Sequence, residues 1–183
     1  MRRLRPSRRR RPRRSHVDAS DTLSTIAAAS VGLAGFSGVM TAFMQRPGTF
    51  TSVERYRVAV LLGVSFGGMF LAFLPLTLAQ FRVEEPRLWG HASLVMVLYS
   101  AAALTLFLVS SHHFRRQVPG LFNAWLFWAI TIGHVVNIGL QASNTLQPVA
   151  GTASGLYIVG LLWYLVHAAV QFSRILIVQP GSS

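Results

Sequence analysis

Two histidines, His134 and His167, lie in long apolar stretches, each within a set of polar and aromatic residues at helical spacing. Around the first, Asn123, Phe127, Ile130, His134, Asn137 and Gln141 recur at intervals of 4, 3, 4, 3 and 4. Around the second, Tyr157, Gly160, Tyr164, His167, Gln171 and Arg174 recur at 3, 4, 3, 4 and 3. This periodicity puts each set on one helical face. Polar groups in hydrocarbon need partners, so the two faces are expected to turn inward as one seam, joined by Tyr99 and Ser100. Three chemistries suit such a seam: a structural hydrogen-bond network, a ligand pocket, or axial ligation of a b-type haem by His134 and His167. Haem needs both rings at nearly one depth. With the spans given below, the two differ by about 9 Å from one membrane face and about 6 Å from the other. A hydrogen bond between His134 and Tyr164 is the simpler expectation, and no cofactor is predicted.

Composition removes much other chemistry. The 183 residues include no Cys, which excludes disulfides, thiolate nucleophiles and iron–sulfur ligation. All 17 basic residues are Arg, so Schiff bases and Walker-type phosphate loops are excluded too. The five acids, Asp18, Asp21, Glu54, Glu84 and Glu85, fall outside the apolar runs, which weakens a proton- or cation-coupled pump. Glu84 and Glu85 are the one acid pair, and neighbours in sequence point apart; no catalytic residue is assigned. His112 and His113, followed by Arg115 and Arg116, are expected in a solvated basic loop, with no further ligands for a metal.

The elements that must position the seam are membrane spans. Hydrophobic residues make up 52% of the chain, and mean hydropathy is +0.47, too apolar for a soluble basic domain. Five stretches meet the requirement of roughly 20 residues for crossing hydrocarbon. They are placed at 22–44, 56–80, 88–109, 120–142 and 154–177. The expected fold is all-α: a polytopic membrane protein with a compact bundle of five transmembrane helices. Thr51-Ser-Val-Glu54 reads as a capping box, starting the second helix near Ser52. Glu85-Pro86 opens the third span and Pro119-Gly120 precedes the fourth. Trp89 and Trp125 read as interfacial anchors, and Pro75 as a kink. Short connections make consecutive spans antiparallel neighbours.

Charge is unevenly placed. Of the formal +12, residues 1–16 carry +9. Residues 1–21 are expected to be a disordered Arg-rich arm, and 178–183 a short tail. The arm suits anionic lipid headgroups; nucleic acid is disfavoured, because nothing aromatic is interleaved for bases to stack on. With the arm included, the positive-inside count is 11 against 6 for an inside amino terminus; without it, 2 against 6. The two counts give opposite orientations. A start at Val17, read from a GTG codon, would remove the conflict; a real overriding arm or dual topology are the alternatives.

Small residues mark packing faces. Ala28, Gly32, Gly35 and Ala42 form one stripe on span one, and span two carries Gly63 and Gly67, followed by Gly68. Ordinary packing within the bundle is expected, with a homodimer interface as the alternative. Ala34-Gly-Phe-Ser-Gly-Val39, Glu54 with Arg55-Tyr-Arg57, Leu74-Pro75 and Glu85-Pro-Arg-Leu-Trp89 together resemble a group of small bacterial five-span integral membrane proteins with no assigned function. The resemblance covers roughly residues 22–116 and implies a cytoplasmic (inner) membrane location, but no activity. Members of that group lack an Arg-rich arm. The expected function is that of a non-enzymatic structural or partner-binding subunit in the lipid bilayer, in a homo-oligomer or with other membrane subunits. The alternative is a small-molecule or lipid binder or transport component using the seam. A haem- or quinone-associated redox subunit comes third.

Overall fold

The computed structural model describes residues 19–44, 52–85, 87–117 and 123–177. Residues 1–18 of the arm, the tail, Thr51 and Pro119-Gly120 lie outside the described residues, whereas Ala19–Asp21, expected to be disordered, form the first turn of α1. Five helices follow in order: α1 (Ala19–Met44), α2 (Ser52–Gln80), α3 (Arg87–Gln117), α4 (Ala124–Leu146) and α5 (Ala153–Ile177). All five are long and apolar enough to cross a membrane, and the described residues contain no strand. Consecutive helices pack as neighbours, and α5 packs against all four others. That position explains its sequence. A helix with most of its circumference against protein can carry Tyr157, Tyr164, His167 and Gln171 inward, where each finds a partner, while Val159, Leu162 and Val166 face outward.

Two helices differ from the hydropathy reading in ways that move the site. Helix α3 continues to Gln117, so His112, His113, Arg115 and Arg116 sit on its last turns rather than in a loop. The two arginines there oppose the negative end of the helix dipole. Helix α4 starts and ends four residues later than expected, at Ala124 and Leu146. Asn123 is its N-cap: Oδ1 accepts from the Leu126 backbone N–H at 3.1 Å. At the other end Thr145 Oγ1 donates to the Gln141 carbonyl, and Asn144 finds buried partners, so the polar Ser143-Asn144-Thr145 run stays helical.

The small-residue stripe of α1 is a correction. Ala28, Gly32, Gly35 and Ala42 face outward, and a Cβ added at Gly32 or Gly35 would meet nothing within 4 Å. The opposite face (Leu23, Ala27, Ser30, Ala34 and Ser37) packs into the bundle instead. Both faces are small, and the one with leucine and isoleucine at its start buries more apolar surface. On α2, Gly63 is exposed too, whereas Gly67 and Gly68 are buried: a Cβ at Gly67 would run into the Tyr99 ring, and one at Gly68 would come 3.0 Å from Ser30 Oγ.

Pro75 lies inside α2 without ending it. A proline has no N–H for the carbonyl four residues earlier, here Leu71. The Tyr157 hydroxyl from α5 takes that role, donating to the Leu71 carbonyl at 2.6 Å. Trp89 is buried rather than interfacial. Its indole N–H donates to Glu85 Oε1 at 2.8 Å, and its ring lies 5.7 Å from that of Tyr157. Trp125 is exposed at the start of α4, as an anchor should be.

Candidate functional site

His134 and His167 both sit near the middle of their helices, and the structure brings them into direct contact. His134 stands 12 residues before the end of α4, and His167 stands 14 after the start of α5. That leaves roughly 3 Å of offset at the helical rise of about 1.5 Å per residue. The larger offset expected from sequence came from ending α4 at residue 142. His134 Nε2 lies 3.1 Å from His167 Nδ1, and the ring centroids are 5.1 Å apart. The expected His134–Tyr164 bond is absent; the Tyr164 hydroxyl pairs with Ser100 Oγ at 2.6 Å, and its ring packs edge-on to His134.

The histidines belong to a relay whose polarity can be worked out from its outer end. Arg174 Nη1 donates to Gln171 Oε1 at 3.4 Å. With that oxygen turned to Arg174, the Gln171 amide nitrogen faces His167, 3.1 Å from Nε2. An amide nitrogen only donates, so His167 Nε2 accepts and the imidazole proton sits on Nδ1. His134 Nε2 must then accept in turn. Neutral His134 therefore carries its proton on Nδ1, a buried atom with no hydrogen-bond partner.

A second network closes the other half of the seam. Ser93 Oγ donates to Gln141 Oε1 at 2.9 Å, and Asn144 Nδ2 donates to Ser93 Oγ at 2.9 Å and to the Ala153 carbonyl at 3.0 Å. Gln141 Nε2 donates to the Leu156 carbonyl at 2.9 Å. These bonds fix the first turn of α5 against α3 and α4. Asn137 lies along α4 between the two networks, buried, with neither amide atom partnered. The helices meet closely here. A Cβ at Gly160 would lie 2.5 Å from Gln141 Nε2, 2.7 Å from Asn137 Oδ1 and 2.7 Å from Met96 Sδ.

Of the seam residues expected from sequence, His134, Asn137, Gln141, Tyr157, Tyr164, His167 and Gln171 are buried in the bundle core. Tyr157 serves α2 rather than the seam, and Asn123 is an exposed cap. Ser93 and Asn144 were missed. Asn144 follows Gln141 by three residues, and Ser93 shares a face with Met96 and Ser100, so helical spacing held the signal for both.

Beside the relay, the α2–α3 seam is open. One cavity of about 370 Å³ is lined by Tyr56, Val60, Gly63, Tyr99, Ala103, Phe107 and Ser110, among others, with His134 and His167 at its floor. Exposed Ala59, Gly63, Ala102 and Leu106 form its mouth, so it opens sideways to the bundle surface. A second cleft of about 580 Å³ continues along α2 past Phe66, Phe70 and Phe73. The Tyr99 hydroxyl, which donates to the Gly63 carbonyl at 2.6 Å, stands at the boundary of the two.

The cavity lining is apolar apart from Tyr56, Tyr99, Ser110 and the histidine pair. Among the described residues no group of three His, Asp or Glu could hold a metal ion. The histidine pair also fits an iron poorly as it stands. Two nitrogens across a metal lie about 4 Å apart, at a metal–nitrogen length near 2 Å, and these lie at 3.1 Å. No family model, curated protein or solved structure matches this chain.

Proposed function

We propose that this chain is a bacterial cytoplasmic-membrane protein that binds an amphipathic small molecule or lipid in the α2–α3 cavity, without catalysing a reaction on it. The carrying observation is the cavity of about 370 Å³ that opens sideways among apolar walls and ends on His134 and His167. Binding sites of this size are mostly apolar with a few polar groups that orient the ligand. A sideways mouth suits a molecule arriving from the bilayer. The relay holds both imidazoles in fixed orientation, so the floor is rigid before any ligand arrives.

The test is native purification followed by mass spectrometry of whatever small molecule or lipid stays bound. Ala103→Phe puts a ring into the cavity from a half-buried wall position and leaves the relay untouched. The bound molecule should be present in the parent protein and lost from A103F. An unchanged lipid profile in A103F would remove this reading.

A second reading keeps the protein as a partner-binding subunit. Its support is the outward stripe Ala28, Gly32 and Gly35 on α1, whose glycines have open space beside them. Small faces of this kind let a second helix approach closely. Gly32→Leu and Gly35→Leu together should then reduce a cross-linked oligomer in membranes; an oligomer of unchanged yield counts against it.

A further inference from the structure

The cavity begins where the bundle concentrates positive charge. Arg55 and Arg57 on the first turns of α2, Arg115 and Arg116 on the last of α3, and Arg174 on the last of α5 share one end of the bundle. The opposite end holds Arg82 and Arg87, with Glu84 and Glu85 between them. Arg57 is only 8% exposed, although arginine is almost never buried unless paired. Arg174, half-buried on the last turns of α5, lies at the same end of the bundle, and Glu54 precedes Arg57 by one turn on α2. Two arginines withdrawn from water thus lie at one end of the bundle, with Glu54 one turn from the first. Such an arrangement needs an anion, and the planar forks of arginine suit phosphate or carboxylate oxygens.

The neighbour of Arg57, Tyr56, is a wall residue of the cavity. From there the cavity descends along α3 from Ser110 to Tyr99, 11 residues or about 16 Å, roughly half the thickness of a bilayer core. Charge at the surface and an apolar slot below it match one kind of molecule. We infer that the occupant is an acidic lipid, its headgroup held by Arg57 and Arg174 and one acyl chain lying in the slot above the histidine pair. The inference rests on the cavity reading above and adds the headgroup chemistry.

The experiment is native mass spectrometry of the full chain in neutral micelles, titrated with phosphatidylglycerol or with phosphatidylcholine carrying the same acyl chains. Charge-assisted hydrogen bonds to two arginines predict at least about tenfold tighter binding of phosphatidylglycerol. R57Q/R174Q should bring phosphatidylglycerol down to the level at which the same variant binds phosphatidylcholine, so that the ratio between the two lipids falls to about one. If the double variant does not fold, R57Q alone should give a smaller loss in the same direction. Without acidic lipid, R57Q should melt no lower than the parent, because it removes a guanidinium buried away from water. Equal binding of the two lipids, with both lost in A103F, would overturn the headgroup assignment and leave the cavity reading standing. Binding of both lipids unaffected by A103F would overturn the cavity reading itself. Displacement of phosphatidylglycerol by millimolar inorganic phosphate would mark a free-anion site and overturn the lipid assignment.

Discussion

The bond between Tyr157 and the Leu71 carbonyl gives the sharpest test of how this bundle is held. Tyr157→Phe removes one oxygen and keeps the ring, so packing against Trp89, 5.7 Å away, is preserved. Tyr157 is fully buried, and no water reaches the carbonyl left behind. Orphaning a buried acceptor costs about 1–3 kcal/mol, and interhelical hydrogen bonds in membrane proteins average about 0.6 and reach about 1.7 kcal/mol. A loss of about 1–1.5 kcal/mol is therefore expected. The cause can be separated from any general effect of the hydroxyl by Pro75→Ala. Alanine restores the backbone N–H at position 75, which can bond the Leu71 carbonyl within α2. In that background Tyr157→Phe should cost less than half as much, a coupling of about 0.5–1 kcal/mol in a double-mutant cycle. Reversible unfolding in mixed micelles, followed by Trp fluorescence, would measure all four proteins. Equal costs in the two backgrounds would refute the idea that Tyr157 substitutes for the missing proline N–H.

Three further predictions concern the seam. The relay requires both imidazoles to be neutral with the proton on Nδ1, so ¹⁵N NMR of histidine-labelled protein should show that tautomer at His134 and His167; an Nε2–H form at either would break the deduced polarity. Gly160→Ala should destabilise by at least about 1–3 kcal/mol, because its methyl would overpack Gln141, Asn137 and Met96, while Gly35→Ala, with open space around it, should be near neutral in thermal unfolding. His167→Ala leaves His134 and Gln171 without their shared partner, so about 2 kcal/mol or more should be lost on unfolding; a Soret band in the purified parent protein would instead place iron where this contact lies.

Much of the site was legible because transmembrane helices expose their periodicity plainly. His134, Asn137 and Gln141, like Tyr164, His167 and Gln171, fall at alternating three- and four-residue steps, and all six are buried. The pairing within the set was less legible. Hydropathy scores each residue as if it faced lipid alone, so Asn144 looked like the end of a span. In the bundle its amide bonds Ser93 and the Ala153 carbonyl, and the helix continues to Leu146. Those four residues moved the depth of His134 by just over one turn and changed its partner from Tyr164 to His167. Trp89 failed for a related reason: a tryptophan near a span end suits both a headgroup layer and a buried Glu85–Tyr157 corner, and its sequence position is the same in each.

The amino-acid sequence by itself determined five apolar helices, their order, the absence of thiol and amine chemistry, and the residues that must turn away from lipid. These follow from local rules, because backbone groups in hydrocarbon must be satisfied within each helix and polar side chains must find company. Tertiary structure alone decided which small face of α1 packs, that Tyr157 completes the bond Pro75 cannot make, and that Gly63 and Tyr99 leave a cavity beside the histidine pair. Each of these depends on the shape and depth of a second helix. Helical periodicity fixes directions around one axis and carries no information about the height at which two axes meet.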